Sequence, residues 1–382
     1  MKKIFFVLAA ITALASCSKS EIEYEAAQEI TFTPVAKNIT KAMMEGDKFS
    51  TDEKFNVWAF YNPTVQANND IDAWIAEYNA YTGKGAKVYI DDKTFEYHSN
   101  YKLWAGSTPY FWPKVGTLAF AGYYPSSASA SYSLSSDANQ MKFTKVTNSW
   151  VLDAKANTED LMYFNLTKCY NGNNVIAVFK HALSWLTINV ATTSETLNAG
   201  ATVVVSSVKF TGVKPEGTGT VKNQEPISWE TAGTAGPVET MLLNEDNTLK
   251  EITLSTTAEK LREPLFIPQP MDGYLEVTYT ISSTDNSAFT ETKVIKLSEL
   301  KGLVPKVENG EVVKDEYVEQ TLSSWEAAKH YIYNIVISTE EILIDASVVN
   351  WTDVTIPVEV NKTPANDSNI EGSVSDSDDT EF

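Results

Sequence analysis

From Glu29 onward the chain alternates apolar and polar residues with period two. Ile30 and Phe32 alternate with Thr31 and Thr33, and Phe55, Val57, Ala59 and Tyr61 share one face of a second run. Leu118 to Tyr124 forms a third. Further runs follow at Val175 to Phe179, Trp185 to Val190, Val203 to Phe210, Leu275 to Ile281, Tyr331 to Ile337, Ile342 to Val349 and Val354 to Val360. They are rich in β-branched and aromatic residues and are bounded by Gly, Pro, Asn, Asp and Ser, which predicts strands. Their number and short connections predict β-sandwich packing.

Helical spacing is scarce. Between Asn69 and Tyr81, Ile71, Trp74, Ile75 and Tyr78 fall at i, i+3, i+4 and i+7, with Asn69 or Asp70 placed to cap and Gly83 beyond the end. This predicts a short helix packed across a sheet. A second helical turn is expected over Ser324 to Lys329. The turn-rich Asn171-Gly172-Asn173-Asn174 suggests a boundary, giving β-sandwiches over 29–170 and 171–362. Residues 363–382 have almost no large apolar side chains and many Asp, Ser and Glu, so an acidic disordered tail is expected there.

The N-terminus reads differently. Lys2 and Lys3 precede a ten-residue apolar run, Ile4 to Ala13, and then Leu14-Ala15-Ser16-Cys17. A membrane-spanning helix needs about 20 apolar residues, so a cleaved export signal fits better. The cysteine directs this to a lipoprotein signal over 1–16, with acyl chains on Cys17 and a polar tether over 17–28. The bland alternative is an ordinary secretory signal beside an incidental cysteine. Each buried methylene contributes about 0.8 kcal/mol, so several acyl chains anchor firmly. With Cys17 lipidated, Cys169 has no disulfide partner, and a small buried residue is expected there rather than a reactive thiol.

The formal charge is −20, and loss of Lys2 and Lys3 makes it two units more negative. Such a chain, with a single arginine, Arg262, is repelled by nucleic acid. His98, His181 and His330 lie far apart, without metal-binding spacing, and neither a Gly-x-Ser-x-Gly elbow nor a phosphate-cradling glycine loop occurs. Carboxylates are plentiful, but no pair stands out as a glycosidase would require. Asp376, Asp378 and Asp379 lack the glycine and terminal Glu of a calcium loop. No enzyme, cofactor or metal is therefore expected. Aromatics are numerous, with 9 Trp, 18 Tyr and 16 Phe. Trp104, Tyr110, Phe111 and Trp112 could form a sugar-stacking platform, the alternative being that they fill a core.

Four segments together resemble the fimbrillin family of Bacteroidales, the subunits of type V pili. They are Ile30-Thr31-Phe32 with Thr40-Lys41-Ala42; Tyr110-Phe111-Trp112-Pro113 with Leu118 to Pro125; Asp160 to Tyr163 with Val175 to Ser184; and Lys329 to Ile335 with Trp351. The resemblance implies two transthyretin-like β-sandwich domains and an outer-membrane lipoprotein precursor exposed on the cell surface. A protease then cuts in the loop after the first strand, and a neighbouring subunit's strand fills the vacated groove. Mapped here, the removable strand carries Ile30, Phe32 and Val35, and the cut falls between Lys41 and Ala42. The donor strand carries Val354, Ile356, Val358 and Val360. The family has arginine where this chain has Lys41, and guanidinium and ammonium are not equivalent in a bidentate pocket. The implied partners are other pilin subunits, the outer membrane, and host or bacterial surface ligands of an adhesive fimbria. A glycan-binding surface lipoprotein that does not polymerise is the alternative.

Overall fold

A computed structural model describes residues 28–36, 49–64, 70–100, 102–135, 138–147, 151–152, 160–166, 169–172, 174–222, 225–284, 287–309 and 311–350. The chain is all-β, as its alternation requires, with three buried cores between its sheets.

The first sheet closes on itself. In order around the ring, its strands are Thr117–Tyr124, Phe55–Asn62, Lys87–His98, Leu103–Gly106, Thr31–Ala36, Val175–His181 and Met162–Phe164, which pairs back to Thr117–Tyr124. Closing a sheet requires strong local bending, and bulges supply it. The pairing of Phe55–Asn62 with Lys87–His98 shifts register twice, and Asp92 takes a φ of 46° there. The Asp92 carboxylate accepts from Asn56 Nδ2 and from the Tyr123 hydroxyl, both at 3.0 Å, which fixes the bulge.

Alternation then sends Phe55, Val57, Ala59, Leu118, Phe120 and Tyr124 into the ring. Trp58, Phe60, Ala119, Ala121 and Tyr123 face outward. The outward set is covered by helix Ile71–Tyr81 and by a four-stranded sheet of Ala130–Ser133, Gln140–Thr147, Glu216–Lys222 and Ser228–Ala232. The helix begins where the spacing predicts. Asp70 accepts from the amides of Asp72 and Ala73, and Ile71, Trp74, Ile75 and Tyr78 are its buried stripe. Trp74 is fully buried, and its indole donates to Thr117 Oγ1 at 2.7 Å.

The boundary expected at 171–174 does not end the first sheet, because Val175–His181 still belongs to it. The chain leaves at Ala182-Leu183, both fully buried, and continues as Ser184–Thr192 in a second sheet. That strand lies parallel to Lys329–Ile337 and antiparallel to Glu263–Phe266. Opposite it lies a sheet of Gly236–Glu239, Thr202–Val213, Tyr274–Ser282 and Ala288–Lys296, and a single large core fills the space between. The helical turn expected at Ser324 to Lys329 is absent. Ser324–Trp325 is a short strand on Gln269–Pro270, and Ala328 turns with a φ of 57°. Trp325 drives this difference: it is 2% exposed and donates to the Tyr333 hydroxyl at 3.0 Å, a burial that a surface helical turn could not provide.

Two consequences are testable. A Cβ on Gly122 would lie 2.5 Å from the Asn56 carbonyl oxygen and against the Phe164 ring, whereas one on Gly236 meets nothing within 4 Å. Gly122→Ala should therefore lower stability in chemical denaturation by roughly 1–3 kcal/mol, and Gly236→Ala should stay within about 0.5 kcal/mol of wild type. His330 stacks on Trp185 with ring centroids 3.6 Å apart, and burial, aided by the Lys260 charge, lowers its imidazole pKa to about 3. The unfolded chain takes up this proton below about pH 6.5 while the folded chain does not, so stability falls as pH drops through this window. Between pH 7 and 5, wild type should lose up to about 2 kcal/mol relative to His330→Gln. A pH-independent difference between the two would disprove this assignment.

Candidate functional site

Among the described residues, the first strand has an unusual position. Thr31–Ala36 is an interior stave of the closed ring, flanked on both sides. Toward Val175–His181 it makes a five-position parallel ladder from Phe32↔Val175 to Ala36↔Phe179. Toward Leu103–Gly106 it makes only two antiparallel pairs, Thr31↔Ala105 and Phe32↔Trp104. Just upstream, Ile30 N–H donates to Tyr110 O at 2.7 Å, and Gln28 O accepts from Trp112 N–H at 2.9 Å. From Thr33 onward, the strand pairs with nothing on that second side among the described residues. The ring is thus closed by one long seam and one short one.

Period two decides what the strand buries. Ile30 and Phe32 are fully buried, and Pro34 is buried with them. Val35, named with them as part of the removable strand, is only half-buried and lies on the other face with Thr31 and Thr33. The reason is parity: the inward set from Ile30 is 30, 32 and 34. Outside, Asn174 locks the strand to its parallel neighbour. It accepts from Thr31 Oγ1 at 3.0 Å and donates to Thr33 Oγ1 at 2.7 Å.

Phe32 occupies the centre of an aromatic cage. Its ring centroid lies 4.8 Å from Phe95, 5.3 Å from Phe120, 5.7 Å from Phe55 and 6.4 Å from Phe164. The first three contacts are edge-to-face, the arrangement the ring quadrupole favours. Phe49 closes one end of this core, 4.8 Å from Phe179 and 5.4 Å from Tyr124. Since Ala36 also pairs with Phe179, Ala36 and Phe49 lie at the same end of the ring.

The remaining sequence expectations divide clearly. Cys17, Lys41, Ala42, Val354, Ile356, Val358 and Val360 lie outside the described residues. The last described strand, Ile342–Asn350, is paired on both sides, to Lys329–Ile337 and Lys301–Glu308. Trp104 and Trp112 are buried in the ring's interior, Tyr110 is half-buried and stacks on Phe95 at 6.2 Å, and Phe111 is exposed, so the four rings are not grouped on a solvent-facing surface. Cys169 is buried and is in no disulfide among the described residues. His181 and Asp160 form a buried pair, in which burial raises the carboxyl pKa against the opposing pull of the imidazole. His330 hydrogen-bonds Thr187 at 2.8 Å in a different sheet. Among the described residues, no three His, Cys, Asp or Glu side chains converge as a metal site.

Sequence reasoning missed Pro34, Phe49 and the phenylalanine walls. Pro34 is one further step of the same alternation. Phe49 carries a weaker signal, a lone aromatic between Lys48 and Ser50.

Solved structures are similar to this chain. A fimbrial protein from Bacteroides vulgatus is 15% identical with a TM-score of 0.53, covering 84% of this chain and 99% of that one. The tip fimbrial protein Mfa3 from Porphyromonas gingivalis, truncated at its C-terminus, is 10% identical with a TM-score of 0.36, covering 84% of this chain and 100% of that one. No curated protein matches the chain. The family model described as Fimbrillin-like matches residues 40–351, most of the sequence, and the chain therefore belongs to the fimbrillin-like family.

Proposed function

We propose that this protein is a structural or accessory subunit of a surface fimbria, joined to its neighbours by strand exchange and supporting adhesion. Family membership supports the fimbrial and cell-surface reading. The observation that carries strand exchange is the position of Thr31–Ala36: a stave of a closed ring, attached to the later strands only through residues 37–48. Once that connection is cut, nothing covalent holds the strand to the ring. Its loss would expose unpaired N–H and C=O groups on two flanking strands and an apolar trough between them. A strand from a neighbour satisfies both needs at once, through main-chain hydrogen bonds and alternate side chains in pockets.

In this reading the precursor is exported, lipidated on Cys17 and held at the outer membrane. Cleavage between Lys41 and Ala42 frees the first strand. Val354, Ile356, Val358 and Val360 then form the apolar face of the strand this subunit donates to a neighbour. Pro357 interrupts one side of that strand's ladder, which an edge or late-docking strand tolerates. The buried placement of Trp104 and Trp112, with Tyr110 half-buried against Phe95, weighs against the glycan-binding alternative, which needs those rings in solvent.

Purified precursor treated with a lysine-specific protease should yield a new N-terminus at Ala42 by mass spectrometry, followed by oligomers in size-exclusion chromatography when a strand-donating subunit is present. Lys41→Ala should abolish both. A clean cut at this bond that leaves monomers under every condition would overturn the polymeric reading.

A further inference from the structure

The slot of the first strand carries more information than its existence, because its walls specify what can fill it. Four phenylalanines surround the Phe32 ring, three of them edge-to-face, and Trp104 lies beside it as its cross-strand partner. All four wall residues are anchored on strands that remain when the first strand is gone: Phe55, Phe95 and Phe120 in long strands and Phe164 in the strand that closes the ring. Close-packed walls of this kind collapse only partly around a smaller side chain. On the outer side, the half-buried Asn174 amide hydrogen-bonds the hydroxyls of Thr31 and Thr33, one either side of the ring.

The chain's own donor segment does not meet these requirements. Its apolar face, Val354, Ile356, Val358 and Val360, has no aromatic residue in any register. With Ile356 in the place of Phe32, Thr355 matches Thr31, but Pro357 takes the place of Thr33 and leaves the Asn174 amide without its acceptor. With Val358 there, the flanking positions become Pro357 and Glu359. With Val354 there, they become Asp353 and Thr355, and with Val360, Glu359 and Asn361. Each register leaves a void inside the phenylalanine cage.

We propose that this slot selects a strand with a phenylalanine-sized ring in register with Val175 and hydroxyl residues either side of it, and that the chain consequently joins a different subunit rather than a second copy of itself. The inference rests on the strand-exchange reading. Its occupant is defined by chemistry: a strand running parallel to Val175–His181, with an inward aromatic between two outward Ser or Thr residues. The resident sequence Ile30-Thr31-Phe32-Thr33-Pro34 is the template for it.

The test uses the full chain with a specific protease site introduced between residues 37 and 48, nicked while folded. Labelled peptides are then offered in excess: the resident sequence 28–36, the same peptide with Phe32→Val, the native 352–362 segment, and that segment with Ile356→Phe. Incorporation is read by native mass spectrometry, with thermal melting of the nicked protein confirming that it stays folded. The resident peptide should exchange in. Phe32→Val and the native 352–362 peptide should bind more weakly, on the order of 100-fold, and Ile356→Phe should recover part of the loss. Native 352–362 binding as tightly as the resident peptide would overturn the selectivity and leave strand exchange standing. If no peptide exchanges, the resident one included, strand exchange itself fails and the selectivity falls with it.

Discussion

The structure depends on how the first sheet closes. Seven strands meet in a ring only if every stave is present, and the stave supplied by Thr31–Ala36 is also the one that fills the middle of the cavity. Phe32 makes this a matter of packing as well as hydrogen bonding. A buried phenylalanine contributes roughly 1.5–3 kcal/mol through area alone, and edge-to-face contacts add to it. Backbone pairing on two sides and an aromatic centre are therefore carried by one six-residue element.

The asymmetry of the two seams gives this element a direction. Five parallel positions and the Asn174 clasp bind it to Val175–His181, whereas two antiparallel pairs bind it to Leu103–Gly106. Separation along the shorter seam breaks fewer hydrogen bonds. Phe49 matters here because it belongs to the body after the connection 37–48, yet it packs on Phe179 at the end where the strand finishes. It closes that end of the core from a residue that lies outside the strand itself.

Much of this fold is legible in the sequence, for physical reasons. Runs with a strict apolar face, such as Leu275 to Ile281 or Tyr331 to Ile337, announce themselves because they bury one side against a core. Helix Ile71–Tyr81 is equally clear from its stripe and its Asp70 cap. Strands with weak burial are silent: Ala288–Lys296 is exposed along most of its length, and Glu216–Lys222 alternates glycine with threonine, so neither shows a hydrophobic period. The ring itself is not legible, since closure depends on which strands become neighbours, and Thr31–Ala36 and Val175–His181 are far apart in sequence. The same long-range pairing hides the boundary. The turn-prone sequence at 171–174 looks like a break, but the strand after it pairs with Thr31–Ala36 in the same sheet. At the site, Ile30 and Phe32 are identifiable from alternation, whereas the phenylalanines around them come from four separate strands that only the closed ring assembles.

The depth of the first strand bears on how such a subunit could exchange it. A surface strand could leave freely and would confer little specificity. One carrying Ile30, Phe32 and Pro34 into a packed interior cannot simply be absent, because the void and the unpaired backbone together cost more than a marginally stable domain holds in reserve. Exchange from such a slot is favoured when an incoming strand occupies part of it before the old one has wholly left. Were the strand exchanged as proposed, the short seam beside Leu103–Gly106 would give the exchange a place to begin, and the parallel ladder opposite would retain the old strand until replacement is advanced. Tight packing and exchange are then compatible: the same cage that makes an empty slot unstable makes a correctly filled one durable.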